Sequence, residues 1–99
     1  MWYLVIANDH PGTLAQRLAS RADHLARLHD LNKQGRLKLA GPMPAIDAAD
    51  PGDAGFTGSA LVVEFASMDD ARTWVSADPY FNAGVYASAD IFPFKPVLP

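Results

Sequence analysis

The sequence contains no cysteine, which excludes disulfide bonds, thiolate metal sites and a cysteine nucleophile. An excess of positive charge is also missing, because 8 Lys and Arg residues stand against 11 Asp and Glu residues and the formal net charge is −3. General nucleic-acid binding requires a basic surface. We therefore expect no nucleic-acid partner.

Long hydrophobic runs are absent as well. The longest apolar run near the N-terminus is Trp2 to Ala7, and no basic residue precedes it. A run of this length is too short for a signal peptide or for a membrane span. We therefore expect a cytoplasmic protein that does not enter a membrane.

What remains has the composition of an ordinary globular domain. The chain has 99 residues, of which 49% are hydrophobic and 19% are charged, enough for one modest core and too few for two. No repeat, low-complexity tract or linker divides it, so we predict a single domain over residues 1–99. No phosphate-binding loop and no nucleophile elbow is present, and we expect no cofactor.

The first half of the chain predicts a strand, a long helix and a second strand. Residues 1–9 form the first strand, which has two apolar faces, one of Trp2, Leu4 and Ile6 and the other of Tyr3, Val5 and Ala7. Thr13 and Gln16 predict a capping box at the start of a helix over residues 14–34. A leucine stripe should turn this helix towards the sheet: Leu14, Leu18, Leu25 and Leu28. Residues 36–43 form the second strand.

The second half predicts a loop, a strand, a helix and a last strand. Pro44 to Thr57 is rich in Pro, Gly and Asp, and we expect this loop to pack across a pocket mouth or a partner subunit through Ile46 and Phe56. Residues 58–66 alternate as a strand. Ser67 opens a second helix that must end before Pro79, because the residue before a proline avoids the helical region. Residues 85–94 form the last strand.

This order, β-α-β-β-α-β, predicts an α+β fold of the ferredoxin-like type. Both helices then cover one face of a four-stranded antiparallel sheet. The other face is bare, although the first strand and Val62 make it apolar. The simplest cover for such a face is the same face of a second copy, so we predict a homodimer.

The three histidines do not predict a metal site. His24 and His29 share the first helix, but five residues correspond to about 140° of rotation at about 100° per residue, so they cannot bind one metal. His10 lies in a turn. We therefore expect no metal.

Residue spacing alone leaves the chemistry open. His24 lies on the flank of the leucine stripe, where we expect it to be half-buried, and a structural or surface role is the simpler interpretation. Asp78 precedes a proline at a helix end, where aspartate commonly forms turns. Six Lys and Arg residues fall between positions 17 and 38. A solvated basic face is the simpler interpretation of these residues, and an attraction for a small anion is the alternative.

A family resemblance favours the chemical interpretation. The pieces WYLVIAND, RLASRADHLARLHDLNKQGRLKLAGPMP, DPGDAGFTGSALVVEF, ADPYFNAGVY and FPFKPV follow one another in an order and spacing that resemble the YciI-like, YCII-related domain family over essentially the whole chain. The resemblance implies a dimeric α/β-barrel fold. It also implies a histidine–aspartate pair, with His24 in the R-x-x-H-L motif and Asp78 in the A-D-P-Y motif.

Around this pair we expect a pocket for a small molecule. The residues expected to contact the ligand are Arg21, Gly41, Pro42 and Tyr80, whereas Phe81 should fill the core at the helix end. The leading hypothesis is an acid–base enzyme, of the isomerase, lyase or dehalogenase type, acting on a cyclic or phenolic substrate. The alternatives are a non-catalytic ligand-binding dimer that assists another enzyme and, with less support, a cofactor-free monooxygenase.

Overall fold

The computed structural model describes all residues from Met1 to Pro99, and it confirms the predicted α+β ferredoxin-like fold. The elements are β1 (Trp2–Asp9), α1 (Leu14–Lys33), β2 (Leu37–Pro44), β3 (Phe56–Glu64), α2 (Met68–Ser76), α3 (Pro79–Asn82) and β4 (Tyr86–Phe94). The strands form one antiparallel sheet in the order β2-β3-β1-β4. Each long helix therefore connects two strands that a third strand separates, which is the split βαβ arrangement.

The two faces of β1 differ in burial. Tyr3, Val5 and Ala7 are buried under the helices, and Tyr3 and Val5 pair in register with Val63 and Leu61 of β3. These residues and the inner sides of α1 and α2 form the main core. The alternate residues Trp2, Leu4 and Ile6 are only partly buried, because they lie on the face that no helix covers.

The rotation of α1 differs from the prediction. The buried residues of this helix are Arg17, His24, Leu28 and Leu31, whereas Leu18 is 61% exposed. At about 100° per residue, the buried side is turned away from the centre of the leucine stripe by roughly 70°. His24 is therefore fully buried rather than half-buried. The leucine pattern was misleading because two polar residues of α1 have buried partners elsewhere in the fold.

The helix-cap prediction is wrong for α1 and correct for α2. The Thr13 side chain makes no cap hydrogen bond, so the predicted capping box is wrong. Its hydroxyl donates instead to the carbonyl oxygen of His10, at 2.8 Å, within the turn that precedes α1. The Ser67 cap is confirmed, since its Oγ accepts from the backbone N–H of Asp70 at 3.1 Å.

The loop between β2 and β3 is shorter than predicted, because β2 extends to Pro44 and β3 begins at Phe56. Its ends are joined by a hydrogen bond from the N–H of Ala45 to the carbonyl of Gly55, at 2.9 Å. Phe56 borders a cavity, whereas Ile46 is 53% exposed. The contact of Ile46 with a partner subunit stays a prediction.

None of the helices combines the length and the apolar character that crossing a bilayer requires.

Candidate active site

The structure brings His24 and Asp78 into direct contact, although 54 positions separate them in the chain. The Nδ1 atom of His24 lies 2.9 Å from Oδ1 and 2.8 Å from Oδ2 of Asp78. Both side chains are buried, with 7% and 2% of their surfaces exposed. An ionised carboxylate can only accept hydrogen bonds, so Nδ1 carries the proton and donates it. The other ring nitrogen, Nε2, is left to exchange a proton with a bound molecule.

The local sequence explains how Asp78 is positioned. Its backbone is extended, with φ −61° and ψ 135°, as the following Pro79 requires, and the chain therefore leaves α2 at this point. Pro79 occupies the first position of the short helix α3, where its missing N–H is no loss. Asp78 Oδ1 then accepts from the backbone N–H of Tyr80 at 2.9 Å. One carboxylate therefore caps α3 and binds the imidazole.

The guanidinium group of Arg27 also lies beside this carboxylate. Arg27 Nη1 is 3.7 Å from Asp78 Oδ2, and Arg27 Nη2 donates to the carbonyl oxygen of Trp74 at 2.6 Å. The guanidinium also lies over the indole ring, 4.4 Å from its centroid. Burial lowers the pKa of Arg27, and the charge of Asp78 opposes this change. The contacts with Trp74 hold the Arg27 side chain beside Asp78, where its positive charge stabilises the carboxylate.

Tyr80 covers one side of the imidazole. The rings of His24 and Tyr80 are stacked, with centroids 4.0 Å apart and planes inclined by 11°. Burial raises the pKa of Tyr80, and the Arg17 charge opposes this change. The phenol therefore stays protonated at neutral pH, where it can donate a hydrogen bond.

His24 and Tyr80 line a cavity of about 470 Å³ between α1 and the β2–β3 side of the sheet. Its apolar wall includes leucines from both sides: Leu18, Leu25, Leu28, Leu37 and Leu61. The exposed side chain of Leu18 on α1 is explained by this cavity, which it borders. A cavity of this size and character suits a small organic molecule.

The predicted site residues are found together. Arg21, His24, Gly41, Pro42 and Tyr80 all line the cavity, and Asp78 lies behind His24. Phe81 does not border the cavity and packs against Tyr86, with ring centroids 5.3 Å apart. No group of three or more His, Cys, Asp or Glu side chains is arranged to hold a metal ion.

A second buried polar cluster, which the sequence patterns did not predict, lies at the cavity. Arg17 donates from Nε to Asp9 at 2.9 Å, and from Nη2 to Asp9 at 3.2 Å and to Ser59 at 2.8 Å. Burial acts to lower the pKa of Arg17, but the hydrogen bonds and charge of Asp9 outweigh it, and the pKa is raised. The available signal was the spacing of Arg17 and His24, because residues seven apart share one helix face. Nothing local indicated Asp9 or Ser59.

Comparisons with known proteins extend over nearly the whole chain. A model of the YCII-related domain family matches residues 1–95. Protein YciI of Escherichia coli is 52% identical over 98 residues, covering 99% of this chain and 100% of that protein. An uncharacterized protein of Haemophilus influenzae is 50% identical, with the same coverage.

Among solved structures, the comparison includes an enzyme that is similar to this chain in both sequence and fold. It is 5-chloro-2-hydroxyhydroquinone dehydrochlorinase (TftG) from Burkholderia phenoliruptrix, in complex with 2,5-dihydroxybenzoquinone. The sequence identity is 32% and the TM-score is 0.83, with 96% of this chain and 94% of that chain covered.

Proposed function

The chain belongs to the YCII-related domain family, and on this basis we propose that it is an acid–base enzyme that uses His24 and Asp78 on a small organic molecule. The observation that carries the proposal is the contact of Asp78 with Nδ1 of His24 at 2.8 Å, on an imidazole that borders the cavity. A buried carboxylate in this position fixes the tautomer in which Nε2 is a proton acceptor.

The proposed substrate is a cyclic, phenolic or related molecule, and the proposed reaction is an elimination. In that reaction Nε2 of His24 takes a proton from the substrate, and a leaving group departs with the electron pair of its own bond. Support comes from TftG, whose name describes the loss of hydrogen chloride from a chlorinated hydroxyhydroquinone. Proton transfer by an imidazole requires no metal or organic cofactor, and the proposal assigns none.

The proposal includes assembly as a homodimer in the cytoplasm. Its support is the sheet face opposite the helices, where Leu39 is 55% and Phe92 is 49% exposed. An apolar row crosses all four strands on this face, because adjacent strands pair Leu39 with Val62, Val62 with Leu4, and Leu4 with Phe92. Burying such a row removes apolar surface from water.

Chloride release from 5-chloro-2-hydroxyhydroquinone tests the chemistry. We expect the wild-type protein to release chloride, and we expect His24→Gln to reduce kcat by about 10²–10⁴-fold, the usual contribution of a general base. Circular dichroism should show that the variant remains folded. Binding of 2,5-dihydroxybenzoquinone without any chloride release would identify the non-catalytic binding module instead.

Asp78→Asn provides the matched test of the pair. The amide group can donate to Nδ1, which then accepts, so the proton moves to Nε2 and the base is lost. We expect a reduction of kcat comparable to that of His24→Gln, together with a change of the ring-nitrogen NMR shifts from the Nδ1–H to the Nε2–H form. A variant with unchanged ring-nitrogen shifts and full activity would show that Asp78 is only a helix cap.

A further inference from the structure

The cavity is positively charged although the whole chain is negative. Its lining includes the guanidinium groups of Arg17 and Arg21 and contains no Asp or Glu, whereas the net charge of the chain is −3. Lys38 also borders the cavity, but its ammonium lies over the ring of Trp2 on the face that no helix covers, 4.7 Å from the centroid. A cleft lined by charges of one sign, with low-dielectric walls, concentrates ligands of the opposite charge. The leucine walls on either side supply the low-dielectric surroundings.

Arg17 is the most firmly held of these cations. Only 7% of its side chain is exposed, and Asp9 and Ser59 take hydrogen bonds from Nε and Nη2. The guanidinium carbon Cζ lies 4.8 Å from the ring centroid of Tyr80 and 5.4 Å from that of Phe56. These contacts fix the orientation of the group and leave Nη1 uncommitted to Asp9 or Ser59.

We propose that the cavity binds a small organic anion and that Arg17 holds its negatively charged oxygen. This proposal deepens the proposed function, because it assigns the charge of the molecule on which His24 acts. Guanidinium suits the task, since its planar set of donors matches carboxylate and other oxyanions. Asp9 serves as a positioning residue, because its carboxylate accepts from Nε and Nη2 of Arg17 and leaves Nη1 for the ligand.

The spacing of Arg17 and His24 limits the size of the anion. Both side chains contact the same ring: the His24 centroid lies 4.0 Å and the Arg17 Cζ atom 4.8 Å from the centroid of Tyr80. The two groups are therefore close enough for one small molecule to contact both. A molecule with a single six-membered ring fits this requirement and the 470 Å³ cavity.

The test compares benzoate with benzamide, which have the same ring and nearly the same size but differ in charge. We expect isothermal titration calorimetry of the wild-type protein to give benzoate at least roughly tenfold tighter binding, the effect of one charge-assisted hydrogen bond. The double variant Asp9→Asn/Arg17→Gln should lose this preference. It removes both charges together, so neither is left buried without a partner.

Two matched variants isolate Arg17. Asp9→Asn alone keeps the guanidinium, and the amide oxygen can still accept from it. With circular dichroism showing that this variant is folded, it should retain the preference for benzoate, because the bound anion then offsets the charge of Arg17. His24→Gln should retain it as well while losing any turnover, so a failure of the proposed enzyme and a failure of anion binding give different results. Equal affinity for benzoate and benzamide in the wild type, or a preference that persists in the double variant, would overturn the proposal.

A measurement on the wild type does not depend on how the variants fold. Saturating benzoate should shift the NMR signal of the Arg17 side-chain N–H, and benzamide should leave it in place. An Arg17 signal that does not move when benzoate is bound would assign the anion to Arg21, the other arginine that lines the cavity, and would also overturn the proposal.

Discussion

Asp78 contacts more of the candidate site than any single local pattern would require. Its carboxylate accepts from Nδ1 of His24 and from the N–H of Tyr80, and it lies 3.7 Å from Arg27. In the structure the same carboxylate therefore forms the turn and contacts the imidazole. The tight turn holds the carboxylate still, and a carboxylate held still can orient an imidazole.

Tyr86 is a buried residue whose hydroxyl group lowers the stability of the fold. The ring packs edge-on against Tyr80 at 5.3 Å, but the hydroxyl is enclosed without a hydrogen bond of good geometry. An unsatisfied buried polar group destabilises a fold by about 1–3 kcal/mol. We therefore expect Tyr86→Phe to raise the free energy of unfolding at pH 7 by about 1 kcal/mol, as measured by urea denaturation.

The same substitution should change how stability depends on pH. Burial raises the pKa of Tyr86 above its ordinary value of 10.0, more than Ser59 and Arg17 lower it. The folded protein then holds this proton more tightly than the unfolded chain does. The resulting stability is complete below pH 10 and is lost as the pH rises towards the folded-state pKa. The advantage of Tyr86→Phe should therefore be larger at pH 11 than at pH 8, and an equal advantage at both would contradict the assignment.

At the scale of elements, α1 shows why an apolar pattern does not determine a rotation. Leu14, Leu18 and Leu25 would turn the helix one way, and the buried pairs of Arg17 and His24 hold it in another. A charged pair buried with good geometry can be accommodated in a core, but a single unpaired charge cannot. The partners come from the end of β1 and the end of α2, so no periodicity within α1 could indicate the result.

Gly58 in the central strand β3 has no room for a side chain. A Cβ atom at Gly58 would lie 2.9 Å from the Met43 side chain and closer still to the backbone oxygen of Ala7. We expect Gly58→Ala to destabilise the fold by about 3 kcal/mol, at the upper end of the range for overpacking, as measured by thermal and urea unfolding. Gly41→Ala on the neighbouring strand is the control, because a Cβ there meets nothing within 4 Å. Equal stabilities of the two variants would contradict the argument.

At the scale of the whole molecule, the bare sheet face determines the expected assembly. Val62 lies on this face but is only 5% exposed within one protomer. The substitution Val62→Glu would therefore unfold the chain rather than separate two copies. The exposed residues of the same row, Leu39 and Phe92, are the better positions for a test.

We expect wild-type protein to sediment as a dimer at micromolar concentration and Leu39→Glu to sediment as a folded monomer. A glutamate in the centre of the interface would have to lose its hydration without a partner. Leu18→Glu is the matched control, because Leu18 is 61% exposed on the helical side and the variant should remain dimeric. A monomeric wild-type protein would remove the argument for this interface.

Much of the fold could be predicted from the sequence because the signals are local. Alternating apolar residues define the strands, Ser67 and Pro79 mark the limits of α2, and the order of the elements implies the sheet topology. The family resemblance supplied His24, Asp78 and their neighbours, which spacing alone left open. The predictions that failed, the Thr13 capping box and the leucine face of α1, concern side chains whose alternatives differ little in local energy.

The tertiary structure decided which polar groups meet. The pair of Asp78 with His24 and the cluster of Asp9, Arg17 and Ser59 join residues from separate elements. Their hydrogen bonds gain strength from burial, and burial exists only once the helices lie on the sheet. The sequence by itself therefore determined the strands, the helices and their order, whereas the folded chain determined the rotation of α1, the charge of the cavity and the position of the dyad.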